Sequence, residues 1–134
     1  MGLPGGHRHE QDSGSLQTAL RETDEEIGVK LENCAELLGV LDDIQAGARG
    51  RAIDLVVTPY VYLVGAPPKV ELGVEVAEVV WTPLSALFQG LHFTCHTVEF
   101  DGHDKVLPGW NVEGKLVWGL TYRIATGLMR LVLE

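Results

Sequence analysis

Apolar and polar positions repeat with two different periods along this chain, and the changes of period mark its elements. Residues 15–27, SLQTALRETDEEI, follow a helical period. At roughly 100° per residue, Leu16, Leu20, Thr23 and Ile27 share one stripe, while Glu22, Glu25 and Glu26 gather on nearly the opposite side. Ser15 suits the N-cap, and Gly28 suits the left-handed residue that ends a helix. After a polar connector, residues 36–43 read as a strand with Gly39 inside it, and residues 44–50 as a glycine-bearing mobile loop. Residues 51–64, rich in Ile, Val and Tyr, read as one long, largely buried strand in which Pro59 marks an edge, a bulge or a break. Pro67 and Pro68 make residues 65–73 a turn region, residues 76–81 form a further strand, and Pro83 opens a short helix that runs to Phe88. Alternation over residues 91–100 predicts a strand, and Asp101-Gly102 a turn towards residues 105–111, which read as a strand or an irregular loop. Residues 114–134 are expected to form the second long helix, with Leu116, Leu120, Ile124, Leu128 and Leu131 as its apolar stripe.

Strands mixed with two long helices and a short one predict a layered α/β domain of the α+β type. At 134 residues the chain suits one domain, and 46% hydrophobic and 22% charged residues are ordinary for a globular protein. The formal net charge of −9 argues against a nucleic-acid partner, whose phosphates call for a basic surface. With no run of about 18 apolar residues and no signal peptide, no membrane span is expected, and the expected location is the cytoplasm, or an organelle matrix in a eukaryote. Cys34 and Cys95 have no metal-type spacing and are expected as free, buried thiols.

The charge pattern changes this picture at one place. Glu22, Glu25 and Glu26 lie three and four residues apart on a helix, where like charges repel. Such a cluster is left in water or given a divalent cation. The preceding Pro4-Gly5-Gly6 allows a turn and a close approach of main chain to a ligand. Carboxylates with a backbone carbonyl are hard oxygen donors suited to Mg²⁺ or Mn²⁺.

This stretch resembles the Nudix box: a glycine, a middle glutamate, then R-E-U-x-E-E-x-G-U, with U aliphatic. Gly6 opens it and Arg21-Glu22-Thr23-Asp24-Glu25-Glu26-Ile27-Gly28-Val29 closes it. Gly6 and Arg21 are one residue further apart than in the common form. Asp12 is then the nearest substitute for the middle glutamate, ahead of Glu10, and Thr23 replaces an aliphatic residue. Both departures, with Ala19-Leu20-Arg21-Glu22-Thr23, look like the coenzyme A diphosphatase branch of the Nudix hydrolases. Two further segments extend the resemblance: residues 75–84, ending in W-T-P-L, and residues 115–124, which contain W-G-L-T-Y-R.

The resemblance implies an α/β/α sandwich with a mixed sheet between helices, formed as a single domain over residues 1–134 that is short at its N-terminus. It implies metal-dependent hydrolysis of a nucleoside diphosphate linked to another moiety, most of all coenzyme A or acyl-coenzyme A. ADP-ribose, dinucleotides or damaged nucleotides are the alternative substrates, and a non-catalytic nucleotide-binding domain is the alternative class. By this alignment Glu22, Glu25, Glu26 and the Gly6 carbonyl are metal ligands, and Glu22, Glu25 and Glu75 the catalytic carboxylates, with Glu78 competing for the place of Glu75. Arg21 would pair with Asp12 and brace the loop, and Gly5 and Gly28 are structural. His7 and Arg8 are candidates for substrate phosphate or plain solvated loop residues, Trp110, Tyr60 and Tyr62 for an adenine, with core packing favoured for the two tyrosines, and Arg123 for a phosphate or a carbonyl cap. The partner implied is a nucleotide-containing small molecule. Dimerisation is common in the superfamily, and a sheet edge left open by missing front strands would favour a homodimer. His92, His96 and His103 lie close in sequence but lack companion ligands at metal spacing.

Overall fold

The computed structural model describes residues 1–48 and 51–133. It is of the α+β class, with four helices and seven strands among the described residues. The chain divides into two compact units. One holds Leu3–Val40 and Thr58–Val80; the other holds Met1–Gly2, Leu41–Val57 and Trp81–Glu134.

The first unit is built on helix α1 (Ser15–Ile27). Gly14, not Ser15, is its N-cap, and the Gly14 carbonyl accepts the Thr18 N–H at 3.2 Å. The Ser15 hydroxyl instead bonds the Tyr60 hydroxyl at 2.7 Å. At the other end Gly28 takes left-handed backbone (φ 68°, ψ 21°) and its N–H reaches the Asp24 carbonyl. Leu16, Leu20 and Ile27 are only half-buried; the residues that α1 buries are Thr18 and Thr23. The Thr23 hydroxyl is satisfied by the Ala19 carbonyl at 2.7 Å, the usual solution for a buried helical threonine.

The carbonyls left over at the end of α1 find partners further along the chain. Glu71 donates its N–H to the Ile27 carbonyl (2.9 Å) and Gly73 to the Glu26 carbonyl (2.8 Å). Gly73 permits this approach, because a Cβ there would run into the Glu25 carbonyl oxygen. Past α1 come the single turn α2 (Leu31–Cys34), then β1 (Ala35–Val40), which pairs antiparallel with β4 (Tyr60–Val64). The register shifts between Leu37 and Gly39, a bulge next to the strand glycine.

In the second unit β2 (Ile44–Ala48) pairs antiparallel with β3 (Arg51–Val57). The expected loop over residues 44–50 is therefore a strand up to Ala48, since β3 supplies the ladder that local glycine content could not reveal; Arg49 and Gly50 lie outside the described residues. The long strand expected over residues 51–64 is broken at Thr58-Pro59 into β3 and β4, because proline has no N–H for a ladder. Residues 76–81, expected as a strand, join no ladder. Helix α3 (Leu84–Phe88) follows Pro83.

Strands β5 (Phe93–Phe100), β6 (His103–Val112) and β7 (Lys115–Trp118) form an antiparallel meander. Asp101-Gly102 (φ 49° and 76°) and Glu113-Gly114 (φ 50° and 78°) turn the two hairpins, with positive φ at both central residues. The second turn corrects the expected helix over residues 114–134. Residues 115–118 return along β6, and helix α4 (Gly119–Leu133) begins only at Gly119 (φ 61°), where the chain is redirected. Trp110, Val112 and Val117 are buried with Met129 of α4, and the Trp110 ring meets Tyr122 at 4.4 Å. Leu131, placed on the helix stripe by its period, is exposed. Among the described residues no helix is long and apolar enough to cross a membrane.

Candidate active site

The site lies in the first unit, where the glycine loop of residues 5–12 crosses α1. Asp12 ends that loop and is only 5% exposed. A buried carboxylate needs several donors, and Asp12 has them. Arg21 donates from Nε to Oδ1 and from Nη2 to Oδ2, both at 3.0 Å. The His9 N–H and the Thr18 hydroxyl each reach Oδ2 at 2.9 Å. The Arg21 bonds above all, then the His9 N–H, hold the Asp12 carboxyl far below the ordinary carboxylate range, against the opposing effect of burial. The same pairing raises the pKa of Arg21. Glu10 does not take this place; it is exposed at the turn before Asp12.

Arg21 also bridges to the acidic face of its own helix. Its Nη1 donates to Glu22 Oε1 at 2.9 Å and to Glu25 Oε2 at 3.1 Å, and its Nη2 donates to the His7 carbonyl at 3.1 Å. The Glu22 carboxylate lies against the α-carbon of Gly6. A Cβ at residue 6 would collide with it, the Oε2 contact being 2.7 Å. Here a side chain would have to push the end of the Glu22 side chain aside, whereas at Gly5 (φ 157°) glycine is favoured by the backbone itself. The Gly5 N–H in turn reaches Glu26 Oε2 at 3.2 Å.

Glu26 is pushed above the ordinary carboxylate range, first by burial and then by the charges of Glu22, Glu75 and Glu25. Glu75 enters this set from a turn closed by the Val76 N–H on the Gly73 carbonyl (3.1 Å), next to the bonds that tie residues 71–73 to the end of α1. Four carboxylates are thus near enough to repel one another, yet among the described residues no three acidic, histidine or cysteine side chains converge in a metal-holding arrangement. The donor set is nonetheless all hard oxygen, which fits a divalent cation of the Mg²⁺ or Mn²⁺ kind. What turns it away from a common centre is visible: Arg21 holds Glu22 and Glu25, and Gly5 holds Glu26.

The remaining candidates are placed as follows. Arg8 and the His7 side chain are exposed; Arg8 reaches the Asp12 carbonyl at 3.3 Å. Trp110 is 3% exposed, so it is a core residue and has no face free for an adenine. Tyr60 is bonded to Ser15. Arg123 donates to the Gln45 carbonyl at 3.4 Å. Cys34 and Cys95 are free but exposed, not buried. His96 packs edge-on against Trp118 at 4.5 Å, and both of its buried ring nitrogens lack hydrogen-bond partners. Two contributors escaped the sequence: Thr18, whose hydroxyl completes the shell of Asp12, and Gly73, which lets the Glu75 segment reach α1. The helical spacing of Thr18 gave no hint of its partner, and Gly73 looked like one more turn glycine.

The model of the NUDIX domain matches residues 1–99. An uncharacterized Nudix hydrolase, NudL, of Pectobacterium atrosepticum is 31% identical over 126 residues, covering 92% of this chain and 62% of that protein. The uncharacterized protein C14C4.10c of Schizosaccharomyces pombe is 36% identical over 90 residues, covering 65% of this chain and 27% of that protein. The chain therefore spans under two thirds of the length of these curated relatives.

Proposed function

The chain belongs to the Nudix family, and on that premise we propose that it is a single Nudix domain catalysing divalent-cation-dependent hydrolysis of a nucleoside diphosphate linked to another moiety. The observation that carries this reading is the gathering of Glu22, Glu25, Glu26 and Glu75 where α1 meets the turn at residue 75. Repulsion at that spot is a cost with no evident structural return, and a cation beside a diphosphate would turn it into an attraction.

The physical problem is the approach of water to a phosphorus ringed by negative oxygens. A bound Mg²⁺ or Mn²⁺ neutralises that charge and lowers the pKa of water. In this chain Glu25, Glu26 and the Gly6 carbonyl would hold the cation. Glu22, fixed against Gly6 and Arg21, would be the next ligand or would orient the attacking water. Glu75, on its exposed turn, would accept the proton of that water. His7 and Arg8, exposed on the loop, would meet the substrate phosphate. The water oxygen would bond to one phosphorus as that phosphorus loses its bond to the bridging oxygen, the bridging oxygen would leave with the other phosphate, and one water proton would pass to Glu75.

The substrate we propose is coenzyme A or an acyl derivative, cleaved to the phosphopantetheine and adenosine 3′,5′-bisphosphate. The lengthened box, with Asp12 as partner of Arg21, and the run Trp118-Gly119-Leu120-Thr121-Tyr122-Arg123 support it. Incubation with Mn²⁺ and a panel of coenzyme A, ADP-ribose and dinucleotides tests it. Turnover of coenzyme A is expected; turnover of another member alone removes the substrate assignment. Glu25→Gln and Glu26→Gln should each lower activity by roughly a thousandfold, the several kcal/mol of charge stabilisation supplied by such an ion. Unchanged rates in both would overturn the metal reading.

A further inference from the structure

The three nitrogens of Arg21 face two different environments. Nε and Nη2 grip Asp12 on the buried side, where His9 and Thr18 also hold the carboxylate. Nη1 alone faces the acidic surface and is shared between Glu22 Oε1 and Glu25 Oε2, the latter side chain being 57% exposed. One positive charge therefore serves three carboxylates, and among the described residues no three donors converge on an ion.

We infer that Arg21 is a resident counter-ion which a divalent cation partly displaces: the cation takes Glu25 from Nη1, while Nε and Nη2 stay on Asp12. This rests on the divalent-cation reading above and adds to it a positioning residue that exchanges partners. The asymmetry follows from the two environments. The Asp12 side is a bidentate, charge-assisted pair with two further donors in place, so it is the harder to break. The Glu25 side is a single bond at the surface, and a compact double charge outcompetes half of a delocalised single one there. Arg21 thereby keeps Glu22 and Glu25 from repelling each other before the ion arrives. Asp12 keeps the guanidinium within reach once Glu25 has gone, so the exchange can reverse when the ion leaves.

The test is nitrogen-detected NMR of the Arg21 side chain in the full chain during titration with Mg²⁺, with saturation set by calorimetry. At saturation the Nη1 hydrogens are expected to exchange and rotate faster, while the Nε hydrogen keeps its protection. Protection of Nη1 unchanged at full Mg²⁺ occupancy overturns the inference and leaves the metal reading standing. Failure of Mg²⁺ to bind at all overturns both. Arg21→Lys supplies an independent sign. A lysine ammonium can satisfy Asp12 but not span to both glutamates, so the calorimetric Mg²⁺ affinity should rise several-fold. A brace without exchange requires that affinity to fall or stay level, and either result sinks the proposal.

Discussion

The unit that carries α1 and the unit that carries the β5–β7 meander bury different chemistry. In the first, the most enclosed positions include Asp12, Thr18 and Thr23, each satisfied by named bonds, with Val29 and Pro59 as apolar company. In the second they are Trp110, Val112, Val117, Met129 and Ala46, held by contact area. Directional bonds fix a geometry and fail abruptly when one partner is lost, whereas apolar contact tolerates change as long as volume is kept. A site that must hold like charges at set distances needs the first kind of interior. A scaffold needs only the second.

Substitutions can break that contrast. The largest effect on stability is expected from Trp110→Ala, which removes the biggest buried side chain of the meander; about 3–5 kcal/mol should be lost in urea unfolding. Thr18→Val keeps shape but deletes the bond to Asp12, and should cost about 1–3 kcal/mol despite its small size. Met129→Leu conserves volume in the apolar unit and should cost under about 1.5 kcal/mol in the same assay. If Thr18→Val proved cheaper than Met129→Leu, the distinction between the two interiors would be wrong.

Acid titration sharpens it further, because Glu26 and Asp12 are shifted in opposite directions. Burial and neighbouring charges raise Glu26, so its ionisation costs stability. That cost grows as pH climbs from the ordinary carboxylate value, roughly 4.3, through the raised folded value. Arg21 depresses Asp12, so its contribution is complete above its unfolded value of roughly 3.9 and is lost as pH falls below that. Thermal melts of metal-free protein should therefore show a maximum in the mildly acidic range and a steep fall below about pH 4. Glu26→Gln should flatten the alkaline side of that maximum, and Asp12→Asn the acid fall.

Much of the fold was legible where local signals agreed with distant pairing. The span of α1 was readable from its apolar period and from Gly28, and the β5–β6 turn from Asp101-Gly102. Reading failed where pairing overrode local pattern. Residues 115–118 continue a helix-like apolar spacing, yet the Glu113-Gly114 turn sends them back along β6. Residues 76–81 have every mark of a strand, yet find no partner strand among the described residues. Within the site, the acidic face of α1 follows from helix geometry alone. The route by which Glu75 approaches that face does not, because it depends on bonds from residues 71 and 73 to the end of the helix, a contact with no period and no propensity.

Those two bonds have a consequence for how such a chain can vary. They staple the start of the Glu75 turn directly to the last turn of α1, so residues 71–73 are held by the helix itself. Insertions or deletions within residues 65–70, between β4 and the staple in the same unit, can leave the acidic turn where it is. A single methyl group added at Gly73 cannot, since it would prise the staple open.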